Sequence, residues 1–445
     1  MTKILTNKGF CKINEDLRAR GSSNEEQLLS PHLLLQKEDK AALHYFNPGH
    51  EAAILQGGAH FTHKKNVQTM QKDLEVLPLW YASDKDYVLV EDTETADFYH
   101  SFPPEWKSKA TLITRQELRE KAEDLHPLEA TSWGLSPQSI THFQKLNKDI
   151  PRLNLQIPSW KEHYKTLASR ETAAHCLDNI KELLINQGID LPQTPHFCQS
   201  IEEVETYFLN TNTLPQLFKM PFSSSGRGLL WIRKLPLTRE EWAWVKRAIN
   251  GQGCVSIEPA LDRIADYAFE FYSDGLGNIE YKGLSIFKTD KRGSYEGNYL
   301  QSSAEAEGLM RRKYGESYTL IKNAVANTLV RYYSTSYKGY LGIDFMAYRA
   351  QDNTIHLHPC IEINMRHTMG LLACKLSERF LHTSLKGEYK LSFFRKPGEA
   401  LEEHRKLQQQ YPTSKSKEGH LVGYLSLCPI KEQTLFMAYC IISVF

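Results

Sequence analysis

The sequence has no CxxC pair. Its eight cysteines, Cys11, Cys176, Cys198, Cys254, Cys360, Cys374, Cys428 and Cys440, are scattered along 445 residues. That spacing argues against a structural zinc site or a disulfide framework and suits reduced thiols. Net charge is nearly absent as well. A formal +1 gives no electrostatic case for nucleic acid or an anionic membrane as partner. The longest apolar run, LFMAYCIISVF at the C-terminus, is too short to cross a bilayer and reads as a terminal strand. The opening MTKILTNKGFCKINEDLRARG lacks the apolar core of a signal peptide, so the expected compartment is the cytoplasm. Three familiar motifs are missing too. A GxxxxGK[ST] loop would place its lysine after the glycines, whereas Lys219 precedes them. GxGxxG fails because Glu280 stands where the last glycine belongs after Gly275-Leu276-Gly277. The His50-Glu51 pair has no second histidine at HExxH spacing, which excludes that metalloprotease pattern.

What is present is an ordinary globular composition, 41% apolar and 24% charged, in a chain long enough for two or three domains. Strand-like ALHYF (42–46), DYVLV (86–90) and TLIT (111–114) alternate with helical spacing at 64–77 and 115–125. This alternation predicts an α/β domain over 1–130, with ligands at the carboxyl ends of its strands. The segment HYFNPGHEAAI, with His44, Asn47, His50 and Glu51, falls at such a position; a turn and helix cap explain the same letters. The chain is mainly helical from about 135 to 190, within a linker region expected over 131–200, where Trp133-Gly134 and Ser169-Arg170 stand out with no chemistry that the sequence assigns. From 201 to 385 the chain is strand-rich, and from 386 to 445 it shows a charged run, GEALEEHRKLQQQ, and little else.

Chemistry concentrates in LGIDFMAYRAQDNTIHLHPCIEINMRHTMG, 341–370. Both halves alternate around the turn-like 351–354, which predicts a hairpin. A turn centred on Asn353 sets Asp344 directly opposite Glu362. Alternation puts His356, His358, Cys360, Glu362 and Asn364 on one face. Opposed carboxylates repel unless a cation lies between them. With the Asn364 amide they form a hard donor set, suited to magnesium, with manganese the alternative. A solvated acidic face is the competing account. The histidines pack or line the site, and Pro359 marks an edge strand or a bulge.

Two further stretches point the same way. In FKMPFSSSGRGLLWI, Lys219 sits on a strand ahead of a Ser-Gly loop able to fold over phosphates, although a plain hairpin tip reads identically. In CVSIEPALD, a strand ends at Glu258-Pro259 and Asp262 follows, either an adenine-facing hinge or a strand leaving the core.

In this order, strand lysine, Ser-Gly loop, hinge glutamate, distant aspartate and the Glu362-x-Asn364 pair, the chain resembles the ATP-grasp superfamily over about 160–385. EINMRHTMG is similar to the metal strand of its carboxylate–amine ligases. The resemblance implies an α/β and α+β multidomain fold, with a pre-ATP-grasp-like domain ahead of a two-lobed ATP-grasp domain with antiparallel sheets. It implies that Lys219 contacts ATP phosphates and that Ser224, Ser225, Gly226, Arg227 and Gly228 form a lid. Glu258 would lie at the adenine, Asp262 at the ribose, and Arg366 on the acyl phosphate or substrate carboxylate. Asp344, Glu362 and Asn364 would hold magnesium, and Glu270 and Lys282 match more loosely. The implied activity is ATP-dependent ligation of small-molecule carboxylate and amine substrates through an acyl phosphate. A phosphotransferase acting on a hydroxyl and a non-catalytic nucleotide-binding protein are the alternatives, and an oligomer is left open.

Overall fold

The computed structural model describes residues 40–444 apart from 60, 93–97, 99–101, 103, 108–109, 212, 224–227, 291–293 and 382–384. Three sheets form among the described residues. The first is parallel: β1 (Ala42–Tyr45), β2 (Tyr87–Val90), β3 (Thr111–Thr114), β4 (Leu128–Ser132) and β5 (Leu155–Gln156), in the order β3-β2-β1-β4-β5. Leu43, Val88 and Ile113 on three neighbouring strands are fully shielded, as the short apolar strands of a parallel sheet require. The strand order reverses between β1 and β4. Residues 46–51 and 133–134, which follow those strands, therefore share the crevice at the carboxyl edge.

The second sheet is antiparallel: β6 (His196–Cys198), β7 (Gln216–Lys219), β8 (Leu229–Ile232) and β9 (Val255–Pro259), ordered β6-β9-β7-β8. The helices Ile201–Asn210 and Arg239–Gln252 cover one face, where Phe218, Ile232, Val255 and Ile257 pack with Val204, Val245 and Ala248. Side chains alternate along a strand, so Lys219, Ser256 and Glu258 turn to the other face.

The third sheet orders β10 (Asp262–Asp274), β11 (Ile279–Thr289), β12 (Tyr295–Leu300), β13 (Lys338–Arg349), β14 (Ile355–Asn364), β15 (Leu385–Phe393), β16 (Ser414–Lys415), β17 (Leu421–Ser426) and β18 (Phe436–Val444) as β14-β13-β10-β11-β12-β15-β18-β17-β16. Its core face carries Phe269, Phe271, Ile343, Phe345 and Ile363 against the helices Arg170–Leu184 and Ser303–Tyr333. The latter helix is broken at Gly315 (φ 61°), a conformation glycine adopts without strain. Most of the structure beyond residue 386 was invisible in the sequence. The final strand is as expected, but β15 and β17 join it in the sheet, so the expected boundary between 385 and 386 falls inside β15.

Candidate nucleotide and metal site

The hairpin of β13 and β14 pairs Asp344 with Glu362 and Gly342 with Asn364. The expected pair is thus present, but the geometry behind it differs in two ways. Near the turn the register matches Arg349 with Ile355, so the turn centres on Asp352, while Asn353 takes the left-handed conformation (φ 67°) that asparagine tolerates. A bulge between Met346/His358 and Asp344/Glu362 then restores the pairing. Pro359 sits in that bulge, and β14 is an edge strand. The bulge also disturbs the expected single face: Cys360 packs with Leu357 and Ile363 in the core, although it also lines the cleft beside His358.

Glu362 meets a cleft through Arg170, which lines it together with Lys219, Ser256, Glu258, His358, Cys360 and Ile361, and Asp344 lies opposite Glu362 on the neighbouring strand. Lys219 ends β7 opposite Ser256, and its Nζ stands 2.5 Å from Glu258 Oε1. Both side chains are about nine-tenths shielded. His358 also faces this cleft. Burial, with Lys219 nearby, pulls its imidazole down to about 3, so it is neutral.

Arg170 is the residue that sequence reasoning left without a role. It is the first residue of the helix Arg170–Leu184, where side chains tilt back toward the N-terminus and so toward the cleft. Its Nη1 donates to Met220 O (2.6 Å) and Ser223 Oγ (2.8 Å), and Nη2 donates to Glu362 Oε2 (2.8 Å). Nε is buried without a partner. One guanidinium thus ties the loop after β7 to the acid hairpin. These contacts span sequence separations of 50 to 192 residues, which no local pattern reveals.

Beside the acid pair, Glu270 on β10 lies opposite Gly342, in line with Asn364. It is 1% exposed, accepts from Thr368 Oγ1 at 2.8 Å, and leaves Oε2 without a partner. A Cβ at Gly370 would lie 2.2 Å from Oε1, so only glycine leaves room for this carboxylate. Burial pushes the Glu270 carboxyl up to about 7. Asp344 is also raised well above the usual carboxylate range, by burial first and then by Glu362 and Glu270. Asn364 donates to Asp344 Oδ1 only at 3.3 Å, while its own Oδ1 accepts from Arg366 Nη2 at 2.9 Å. Arg366 Nε donates to Glu51 Oε1 at 2.7 Å.

The remaining expected residues fall differently. Ser224, Ser225, Gly226 and Arg227 lie outside the described residues. Gly228 closes back on β7, its carbonyl accepting from Met220 N, and a Cβ there would strike Ser223. Asp262 does not line the cleft: its side chain is 71% exposed and lies 3.6 Å from Arg349. Lys282 lines a second cavity, together with Ser285, Gln301 and Cys374, and pairs with Glu280.

Among the described residues no three His, Cys, Asp or Glu side chains gather as a metal cage. The donor set is two opposed carboxylates and an amide. Its chemistry fits magnesium, which keeps several waters or phosphate oxygens and takes one or two protein carboxylates. The opposition of Asp344 to Glu362, which with burial raises the Asp344 carboxyl, is what favours a cation there.

No family model matches the chain, and no curated protein matches its sequence. Solved structures do resemble it along most of its length. The Staphylococcus aureus N5-carboxyaminoimidazole synthetase complexed with ADP is 13% identical, with 91% of this chain and 93% of that one covered and a TM-score of 0.45. A biotin carboxylase from Campylobacter jejuni is 10% identical, with 91% and 88% covered and a TM-score of 0.48. An L-amino acid ligase from Bacillus licheniformis is 11% identical, with 91% and 94% covered and a TM-score of 0.41.

Proposed function

We propose that this chain is an ATP- and magnesium-dependent ligase of the ATP-grasp type, which converts a substrate carboxylate into an acyl phosphate for attack by an amine or similar nucleophile. Likenesses at the identities found say nothing of activity, so the support comes from this chain's own residues. The carrying observation is Arg170, which lines one cleft with Lys219 and donates to Glu362, the strand partner of Asp344.

In this reading Lys219 and Arg170 bind phosphate oxygens, giving up Glu258 and Glu362 as their partners. Glu258, at the end of β9, then faces the adenine. Asp344, Glu362 and Asn364 hold the metal, which supplies charge neutralisation at the transferring phosphoryl group when bound. Arg366 orients the carboxylate that becomes the acyl phosphate. Residues 223–228 cover the phosphates and keep water from the intermediate. Catalysis is positioning and charge stabilisation, with no side-chain nucleophile.

The test is thermal stabilisation by Mg-ATP with and without EDTA, followed by phosphate release across carboxylate and amine pools with mass spectrometry of products. Stabilisation that needs magnesium, ADP as leaving product and an amide product support the reading. A phosphorylated hydroxyl would make it a kinase, and no stabilisation at millimolar nucleotide in a folded sample would remove it.

A further inference from the structure

The carboxyl edge of the parallel sheet grips the segment just after the acid hairpin in two places. Trp133 O accepts from His367 N at 2.8 Å, and Glu51 Oε1 accepts from Arg366 Nε at 2.7 Å. Behind these contacts the crevice is tightly built. The Asn47 amide clasps Gly134 from both sides, Nδ2 to Gly134 O at 2.7 Å and Gly134 N to Oδ1 at 3.0 Å. A Cβ at Gly134 would lie 2.3 Å from the His50 ring, and one at Gly49 would lie 2.6 Å from His63. These glycines let both rings pack close behind Glu51, and His50 Nδ1 stands 3.0 Å from Glu51 Oε2. Burial works against a charged Glu51, but Arg366 and then His50 outweigh it and hold its carboxyl below the usual range. The letters NPGHE and WG, unassigned by sequence, are thus parts of one mount.

We infer that Glu51 is a positioning residue, which aims the Arg366 guanidinium at the reacting carboxyl group and makes its orientation depend on the parallel sheet. This rests on the ligase reading for the role of Arg366. Arg366 has five N–H donors. Glu51 takes Nε, Asn364 takes one on Nη2, and His367 O accepts from Nη1 at only 3.4 Å. Fixing Nε and one Nη2 hydrogen fixes the plane of the fork, and leaves donors on its terminal nitrogens for a carboxylate or acyl phosphate.

The experiment compares the full chain with Glu51→Gln, Arg366→Gln and the double variant. One measurement is ADP release from Mg-ATP with whichever carboxylate and amine pair supports turnover. The other is hydrogen exchange at Arg366 Nε in protein labelled with 15N-arginine. Glu51→Gln is expected to lower kcat about 100-fold with the KM for ATP little changed. The double variant should be no slower than Arg366→Gln, Glu51→Asp should recover part of the rate, and the protected Nε–H of the wild type should become fast-exchanging in Glu51→Gln. Gly134→Ala, which drives a methyl into His50, should mimic Glu51→Gln in weaker form. Additive losses in the double variant, or full turnover in Glu51→Gln, would overturn the inference. If no substrate pair turns over, equal Nε–H exchange in wild type and Glu51→Gln overturns it alone. Failure of the ligase reading shows separately, as absent stabilisation by Mg-ATP in the wild type.

Discussion

On the four-stranded side of the cleft, Lys219 meets Glu258 at 2.5 Å, and Arg170, from the helix packed on the nine-stranded sheet, ties the loop after β7 to Glu362 at 2.8 Å. On the nine-stranded side, Asp344 has only a long contact from Asn364, and one oxygen of Glu270 has no partner. Without ligands the protein has therefore neutralised its cations with its own carboxylates, while burial pushes the innermost acids, Asp344 and Glu270, toward their neutral forms. Phosphates entering the cleft would take over Lys219 and Arg170 and free Glu258 and Glu362. Released from Arg170, Glu362 would bring unpaired charge to the acid side, which makes binding of anionic phosphates and of a cation mutually dependent.

The sharpest break in this comparison comes from the acid side. Asp344→Asn keeps shape and removes one donor of the proposed metal site, so turnover should fall by at least about 100-fold, the cost of losing one preorganised charge-stabilising group. Stabilisation by Mg-ATP should fall with it. Near-normal ATP turnover in this variant would mean that the opposed acids do not hold a catalytic metal.

Next comes the cationic side. Lys219→Met preserves the packed stem and deletes the charge. A charged hydrogen bond contributes about 1.5–3 kcal/mol, so the Kd for Mg-ATP should rise roughly 10- to 100-fold, as titration calorimetry would read. An unfolded protein, with unchanged affinity in whatever remains folded, would make Lys219 a structural residue.

The two sides were not equally legible in the sequence. Lys219 and Glu258 lie on adjacent strands, and Asp344 and Glu362 on one hairpin, so alternation alone puts each pair on a shared face. The hairpin was read through two errors that cancel, a turn one residue off and an unseen bulge, because periodicity does not report an inserted residue. Arg170 stayed dark because its partners come from β14 and the loop after β7, and a helix's first residue carries no mark of what it faces. Asp262 misled in the opposite way: an acid just past a hinge has the right spacing, yet its strand starts at the surface. Glu270 was legible as a letter but not as a buried one, since its burial depends on glycines at 342 and 370.

Glu270 supplies a smaller, pH-dependent effect. Burial raises its carboxyl from 4.5 to about 7. A raised carboxyl stabilises the fold fully below its unfolded value near 4.5, and that contribution is lost as pH climbs through about 7. Glu270→Gln removes the dependence. It should be level with wild type near pH 4.5 and more stable at pH 8, by about 1–3 kcal/mol, in urea unfolding of the ligand-free protein. A gap of the same size at both pH values would show that Glu270 is charged throughout, and that the acid side is better compensated than its contacts suggest.

The smallest effect separates the two members of the opposed pair. Asp344 is crowded by Glu362 and Glu270 with no cation in contact, so Asp344→Asn should relieve repulsion and stabilise the ligand-free protein, by roughly 0.2–1 kcal/mol. Glu362 faces the same repulsion, but it also accepts from Arg170 at 2.8 Å, where the side chains are 10% and 26% exposed. Glu362→Gln therefore takes away the partner of a shielded guanidinium whose Nε already lacks one, a loss of about 1 kcal/mol once solvent screening is allowed for. The two amide substitutions should thus move the ligand-free melting temperature in opposite directions, while both weaken stabilisation by Mg-ATP. If both raise it, Arg170 gains little from Glu362, and the cationic side is not self-neutralised. If both lower it, the opposed acids already share a proton or a partner in the ligand-free protein, and the demand for a cation at Asp344 disappears.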